Sequence, residues 1–217
     1  MDLSKYDNLT SQNKGILLNL IPNEINANSF RIEKHINPKQ EKWILYGIEQ
    51  LGGVRKLIIY SHDEISFITN YCSDILDKNF NSVLIAGLGM GILPYVLKNE
   101  SKEVDVIENN QELINTIESF GYLNGVNILN QNAYNYTPIK NYDCIIIDIW
   151  TDIESTSLVQ EINNCIFKYV PFLNQNGFIY FPINKVNGQT IWNYDTDIYS
   201  LTPPAIVQQH PLTTPTI

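Results

Sequence analysis

Hydrophobic positions change their spacing along this chain, and the changes divide it. Between residues 29 and 60, three stretches are rich in β-formers: Ser29–Ile36, Trp43–Gln50 and Lys56–Tyr60, with Gly52 and Gly53 separating the last two. They predict a small antiparallel sheet. Next, Ile65, Phe67, Ile68, Tyr71, Ile75 and Leu76 recur at helical spacing, and Ser61 or Asp63 stands where a cap belongs. From Asn81 onward short apolar runs alternate with amphipathic ones. Strands are expected at Ser82–Ala86, Val104–Glu108, Val126–Asn130, Tyr142–Ile149 and Gly177–Ile183. Helices are expected at Ile92–Asn99, Gln111–Phe120 and Leu158–Val170, with Pro94 in a tolerated first turn and Pro171 as a stop. The run Cys144-Ile145-Ile146-Ile147 is apolar on both faces, as a central parallel strand requires.

Strands alternating with helices predict a Rossmann-like, doubly wound, mostly parallel α/β sheet preceded by a small N-terminal β subdomain. The expected organisation is an N-terminal segment at 1–66, a nucleoside-binding domain at 67–183 and a C-terminal extension at 184–217. Residues 1–28 are polar apart from Ile16–Ile21, which reads as a short helix or strand before an Asn-rich turn. From Thr202-Pro203-Pro204 the chain reads as an extended tail.

Charge narrows the set of ligands. The 217 residues carry a formal charge of −9, with no block of lysine or arginine longer than Arg55-Lys56. Such a surface repels nucleic-acid phosphate, so no nucleic-acid partner is expected. No apolar run approaches the ~18 residues of a membrane span, so no membrane association is expected. The N-terminus lacks the basic start and apolar core of a secretion signal, which points to the cytoplasm. Cys72, Cys144 and Cys165 have no metal-ligand spacing and read as free thiols in a reducing compartment. His35, His62 and His210 form no metal signature, so no metal is expected.

The candidate chemistry begins after the first core strand, at Gly87-Leu88-Gly89-Met90-Gly91. Glycines there permit positive φ and let the backbone approach a ligand closely. The helix that follows offers its free amides. The second strand ends in Glu108, followed by Asn109, where a carboxylate accepts hydrogen bonds from both hydroxyls of a ribose. The dinucleotide pattern is not met, because the third glycine comes one position early. The phosphate loop is absent as well. A nucleoside ligand without pyrophosphate is therefore expected.

Val83-Leu84-Ile85-Ala86-Gly87-Leu88-Gly89-Met90-Gly91 resembles the first motif of class I S-adenosylmethionine-dependent methyltransferases. It resembles still more that of spermidine synthases and their methyltransferase-like relatives. Most methyltransferases carry an acid two positions before the first glycine; here that position is Ile85, as in the spermidine synthase group. Ser61-His62-Asp63-Glu64-Ile65-Ser66-Phe67 resembles that group's segment after its N-terminal hairpin. By this resemblance, which covers roughly residues 40–183, Asn132 and Ala133 stand where the family reads adenine. Asp148, closing the fourth strand, stands where it has its catalytic acid. Trp150 and Asp152, with Asp63 and Glu64, would face the acceptor.

The sequence departs from the spermidine synthases in what a diamine needs. Met90 replaces the loop aspartate, Phe67 the helix tyrosine and Asn132 the adenine-reading aspartate. Asp148-Ile149-Trp150-Thr151-Asp152 replaces their Asp-Ser-Ser-Asp signature. An ammonium substrate needs anionic partners. The expected function is therefore methyl transfer from adenosylmethionine to a small acceptor. Aminopropyl transfer from decarboxylated adenosylmethionine is one alternative, and a non-catalytic nucleoside-binding or assembly subunit is another. A homodimer is compatible with the resembled family. A full class I sheet adds two antiparallel strands after the fifth, and Ile191–Leu201 and Ala205–Gln209 are the stretches available for them.

Overall fold

The computed structural model describes residues 20–37, 40–48, 55–60, 75–100, 102–150, 157–181, 185–186, 189–190 and 194–195. Four antiparallel strands come first: β1 Glu24–Asn26, β2 Phe30–Asn37, β3 Gln40–Ile48 and β4 Arg55–Tyr60, paired in chain order. The segment read as an Asn-rich turn thus contains a strand. Arg31 on β2 pairs with Glu24 on β1 at 2.7 Å, and the β1–β2 turn closes through Ala27 N–H donating to the Phe30 carbonyl at 3.0 Å. The helix expected from the 65–76 periodicity lies mostly outside the described residues; its last turn is seen at 75–77.

The second sheet holds β5 Ser82–Ala86, β6 Glu103–Glu108, β7 Asn127–Asn130, β8 Tyr142–Ile147 and β9 Leu173–Tyr180, with α1 Ile92–Asn99, α2 Gln111–Ser119 and α3 Leu158–Tyr169 between them. Its order is β9-β8-β5-β6-β7, and these neighbours are all parallel. The chain steps outward from β5 to β7, then returns to the other side of β5 for β8 and β9. That reversal defines a doubly wound sheet, with a switch point between β5 and β8. A two-residue strand, Tyr194–Asp195, adds antiparallel to β9, and Lys185–Val186 pairs with Gln189–Thr190 as a small hairpin.

The alternation along the central strands explains the layers. Val83 and Ile85 on β5, with Cys144 and Ile146 on β8, face a core shared with α1 and α2. Leu84 and Ala86, with Ile145 and Ile147, face a second core made with Leu158, Ile162, Cys165 and Tyr169 of α3. Period-two side chains that are apolar on both faces need a helix layer on each side. Phe30 and Ile32, both fully buried, add the first sheet to the α1/α2 core. That sheet is also tied to α2 by polar contacts. Glu112 accepts hydrogen bonds from Asn28 N–H (2.9 Å), Ser29 N–H (2.9 Å) and the Ser29 hydroxyl (2.6 Å). The Ser29 hydroxyl, then the backbone donors, hold this carboxyl below the usual range.

Among the described residues, one charged side chain is buried within this sheet. Asp105 on β6 is only 5% exposed. Burial alone would raise its pKa, but Lys140 (2.8 Å), the Tyr142 hydroxyl (2.7 Å) and the Asn127 amide (2.9 Å) outweigh it and hold the carboxyl low. A buried charge persists only when it is paired and hydrogen-bonded in this way.

The fifth core strand departs from the sequence reading, beginning at Leu173 rather than Gly177 and ending at Tyr180. Leu173 pairs with Tyr142 and Phe178 with Cys144, so the register shifts between them. Asn176, at φ 65°, occupies the left-handed region in that irregular stretch. Ser82–Ala86 and Ile92–Asn99 match the expected bounds, and the remaining strand and helix ends differ from expectation by at most three residues.

Candidate functional site

A cavity of about 330 Å³ opens at the carboxyl ends of β5, β6, β7 and β8. This is the switch point, where open α/β sheets bind their ligands. The size lies at the lower end for small-molecule pockets, large enough for one compact ligand. Gly87, Leu88, Gly89, Glu108, Asn109, Asn132, Ala133, Asp148 and Trp150 all line it, so four separate loops bring these expected residues to one space. Met90 and Gly91 do not line it. Met90 is fully buried in the α1/α2 core, and a side chain at Gly91 would meet Leu123, Ile117 and Tyr122. Asp63, Glu64 and Asp152 lie outside the described residues.

Gly87 has a steric reason to be glycine. Its φ is +103°, and a Cβ there would come within 2.0 Å of the Asp148 carbonyl oxygen. The strand ends therefore close tightly. Gly87 N–H donates to the Ile107 carbonyl and Asp148 N–H to the Ala86 carbonyl, each at 2.8 Å, continuing the ladders past β5 and β8. The loop is also held from below. The buried Tyr122 hydroxyl donates to the Met90 carbonyl at 2.5 Å, and the Tyr122 ring meets Tyr95 edge-on at 5.8 Å.

Glu108 joins two loops. One carboxylate oxygen accepts from Leu88 N–H at 3.1 Å and the other from Asn110 N–H at 2.8 Å. Each oxygen keeps a further lone pair, so two ligand hydroxyls can still be accepted. Asn110 caps α2 by accepting from Leu113 N–H at 3.1 Å, and its side chain also bonds the Ser29 hydroxyl. Asn110 and Gln131, which the sequence reading did not single out, line the pocket as well.

After β7 the chain makes a turn organised by Asn132. Its side-chain oxygen accepts from Tyr134 N–H at 2.8 Å, and its carbonyl accepts from Asn135 and Tyr136 N–H. The Asn132 amide nitrogen is the remaining group of that side chain able to donate to a ligand.

Asp148 is open to the pocket while protein packs around it on other sides. Desolvation by that surrounding protein pushes its carboxyl up to about 6. Water reaching it through the pocket works against the shift. A cation bound beside it would reverse the shift.

The far wall carries two aromatic side chains. Trp150 packs against Phe181, with ring centres 5.9 Å apart. Its indole N–H donates to Glu161 Oε2 at 3.1 Å, and the Tyr134 hydroxyl donates to the same oxygen at 2.8 Å. Ser157 donates to Oε1 at 2.7 Å. The Ser157 hydroxyl first, then Tyr134, keep the Glu161 carboxyl below the usual range, while burial and then Glu161 itself push the Tyr134 phenol up. Sequence reasoning missed Glu161 because its partners stand 11 and 27 positions away. No local motif marks such a residue.

Among the described residues, the pocket lining contains two carboxylates, Glu108 and Asp148, and no lysine, arginine or histidine. Among the described residues no group of three or more His, Cys, Asp or Glu is placed to hold a metal ion, and no helix is long and apolar enough to cross a membrane. Cys144 and Cys165 are both buried, and burial pushes the Cys165 thiol up to about 12.

No protein-family model matches the chain, and comparison with the curated proteins gives no match. Several solved structures align with about half of it. The N-methyltransferase NodS from Bradyrhizobium japonicum WM9, in complex with S-adenosyl-L-homocysteine, aligns with a TM-score of 0.46 at 15% identity, over 55% of this chain and 61% of that one. Coclaurine N-methyltransferase, bound to N-methylheliamine and SAH, aligns at 0.45 and 19%, over 54% and 35%. The plantazolicin methyltransferase BpumL in complex with SAH aligns at 0.40 and 24%, over 53% and 43%. The chain therefore spans between about a third and three fifths of these structures.

Proposed function

We propose that this pocket binds S-adenosylmethionine and that the protein transfers its methyl group to a small acceptor. The observation that carries the reading is the pairing of a glycine cradle with a lining that, among the described residues, has two carboxylates and no basic side chain. Pyrophosphate ligands need cationic or densely packed N–H partners. A ligand bearing a sulfonium and an ammonium instead suits a negative pocket. Glu108 would accept from both ribose hydroxyls, and Asn132 and Ala133 would meet the adenine edge. The main chain at Leu88 and Gly89 would pass beside the amino-acid end, with Asp148 against its ammonium.

Methyl transfer needs little covalent help from a protein. The sulfonium supplies an activated methyl group; the chain's own residues hold donor and acceptor in line and exclude water. In the alternative role, Asp148 is not the ammonium's partner but takes up the proton that an acceptor loses as the methyl group arrives. Trp150, and Asp63, Glu64 and Asp152 on the segments outside the described residues, are the acceptor-side candidates.

Aminopropyl transfer is the second reading. The same lack of basic side chains among the described residues suits decarboxylated adenosylmethionine, which has no carboxylate to pair. Against it, the loop position that would hold the aminopropyl ammonium is Met90, buried in the core. A thermal-shift comparison tests the choice of ligand, since whatever binds the native state raises its melting temperature. Adenosylmethionine or adenosylhomocysteine should raise it, and NAD and ATP should not. Stabilisation by NAD or ATP alone would reject the reading. Product analysis with putrescine and the decarboxylated donor then separates aminopropyl from methyl transfer.

A further inference from the structure

We propose that Glu161 is a positioning residue that sets the aromatic wall of the ligand pocket by holding the loops after β7 and β8 together. The inference deepens the adenosyl-binding reading and rests on it only for the identity of the ligand.

Two loops far apart in sequence meet on one carboxylate oxygen. Tyr134 belongs to the loop after β7 and Trp150 to the loop after β8, and both line the pocket. Their polar edges converge on Glu161 Oε2, at 2.8 and 3.1 Å. Glu161 sits in the first turn of α3, whose buried face packs against the sheet through Leu158, Ile162 and Cys165. The carboxylate thus stands on a rigid element while its partners stand on loops. Ser157, one turn earlier, donates to the other oxygen and fixes the rotamer. Further along α3 the buried Tyr169 hydroxyl donates to the Ala133 carbonyl at 2.7 Å, so the helix grips the first loop twice.

The geometry gives Glu161 a function that bulk packing cannot replace. Tyr134 is 44% exposed, so its ring has little apolar burial to hold it. Its hydroxyl bond fixes where the ring stands. Both donors use one oxygen, so a glutamine with its carbonyl at that place accepts from both. Its amide N–H would then donate to the Ser157 hydroxyl. Alanine accepts from neither. Glu161→Gln should therefore keep the wall and Glu161→Ala should lose it, whereas a role depending on negative charge would treat the two alike.

The test reads the wall directly. In a Trp43→Phe/Trp192→Phe background of the full chain, Trp150 is the remaining tryptophan. Acrylamide quenching of its emission reports how firmly the ring is held, without any ligand. Glu161→Ala should raise the quenching constant severalfold, and Glu161→Gln should leave it within about twofold of the parent. Affinity for adenosylhomocysteine should fall about tenfold in Glu161→Ala and be retained in Glu161→Gln. Unchanged quenching in Glu161→Ala would overturn the proposal, as would equal losses in both variants. If Glu161→Ala does not fold, Tyr134→Phe and Ser157→Ala probe the same cluster from its exposed side. Unchanged quenching in both would also overturn it. If the parent binds no adenosyl compound, the functional reading fails, and the quenching result still decides the role of Glu161.

Discussion

The two sides of the pocket are fixed by different means. On the glycine-loop side the constraints lie in the backbone and the core. Gly87 is pressed against the Asp148 carbonyl, Met90 is buried, and Tyr122 holds the Met90 carbonyl from within the protein. On the α3 side, partly exposed side chains converge on Glu161. Close packing has few alternative arrangements. Hydrogen bonds near the surface open at lower cost, because water replaces either partner.

The largest effect that separates the two sides is expected at Gly87. Gly87→Ala combines left-handed backbone with a Cβ overlapping the Asp148 oxygen. Urea unfolding should show a loss of about 3 kcal/mol or more, or the protein should fail to fold. Near-normal stability would mean that the strand ends can part, and the contrast would collapse.

Glu108→Ala should act on binding more than on folding. Losing two charge-assisted hydrogen bonds to ribose should weaken adenosylhomocysteine about 100-fold. The melting temperature should move by only a few degrees, because Leu88 and Asn110 N–H, left by the carboxylate, can turn to water at this half-buried site. A large drop in stability with unchanged affinity would make Glu108 a loop clamp alone.

Asp148 should make binding depend on pH, and the sign follows from its shift. Desolvation pushes its carboxyl up to about 6, and a cation beside it would pull that value down. Binding then releases a proton below pH 6. Affinity should rise as pH climbs through 6 and level off above it, with about a tenfold deficit at pH 5. Asp148→Asn should flatten the profile. A profile that stays steep in that variant would remove Asp148 from the ammonium contact.

The smallest effect is expected at Tyr122. Tyr122→Phe leaves the Met90 carbonyl without its donor, at a cost of about 1–2 kcal/mol in stability. Affinity should drop by less than about fivefold, because Gly91 still packs against Leu123 and Ile117. A larger drop in affinity than in stability would show that the loop is held by one hydrogen bond rather than by packing.

These two sides also differ in how readable they were. The glycine side is local in sequence. Three glycines in five residues, a strand before them and an acid at the next strand end belong to one βαβ unit, and period-two apolar runs fix its place in the sheet. The α3 side is tertiary. Nothing near Glu161 indicates that Tyr134 and Trp150 will reach it. The early start of β9 was hidden for a related reason. Asn176-Gly177 is a strong turn signal, yet here it lies inside a strand whose register shifts against β8. Met90 shows the limit of matching a motif. Its place in the loop suggested contact with ligand, whereas the loop's path turns its side chain into the core.

The central claim is that the carboxylate-lined pocket at the switch point binds an adenosyl amino acid through Glu108. Isothermal titration of adenosylhomocysteine into the protein and into Glu108→Ala tests it most directly. The account predicts one site per chain in the parent and about 100-fold weaker binding in the variant, with both proteins folded. Absence of heat with adenosylhomocysteine, adenosylmethionine and the decarboxylated donor alike would contradict it, as would equal affinity in parent and variant.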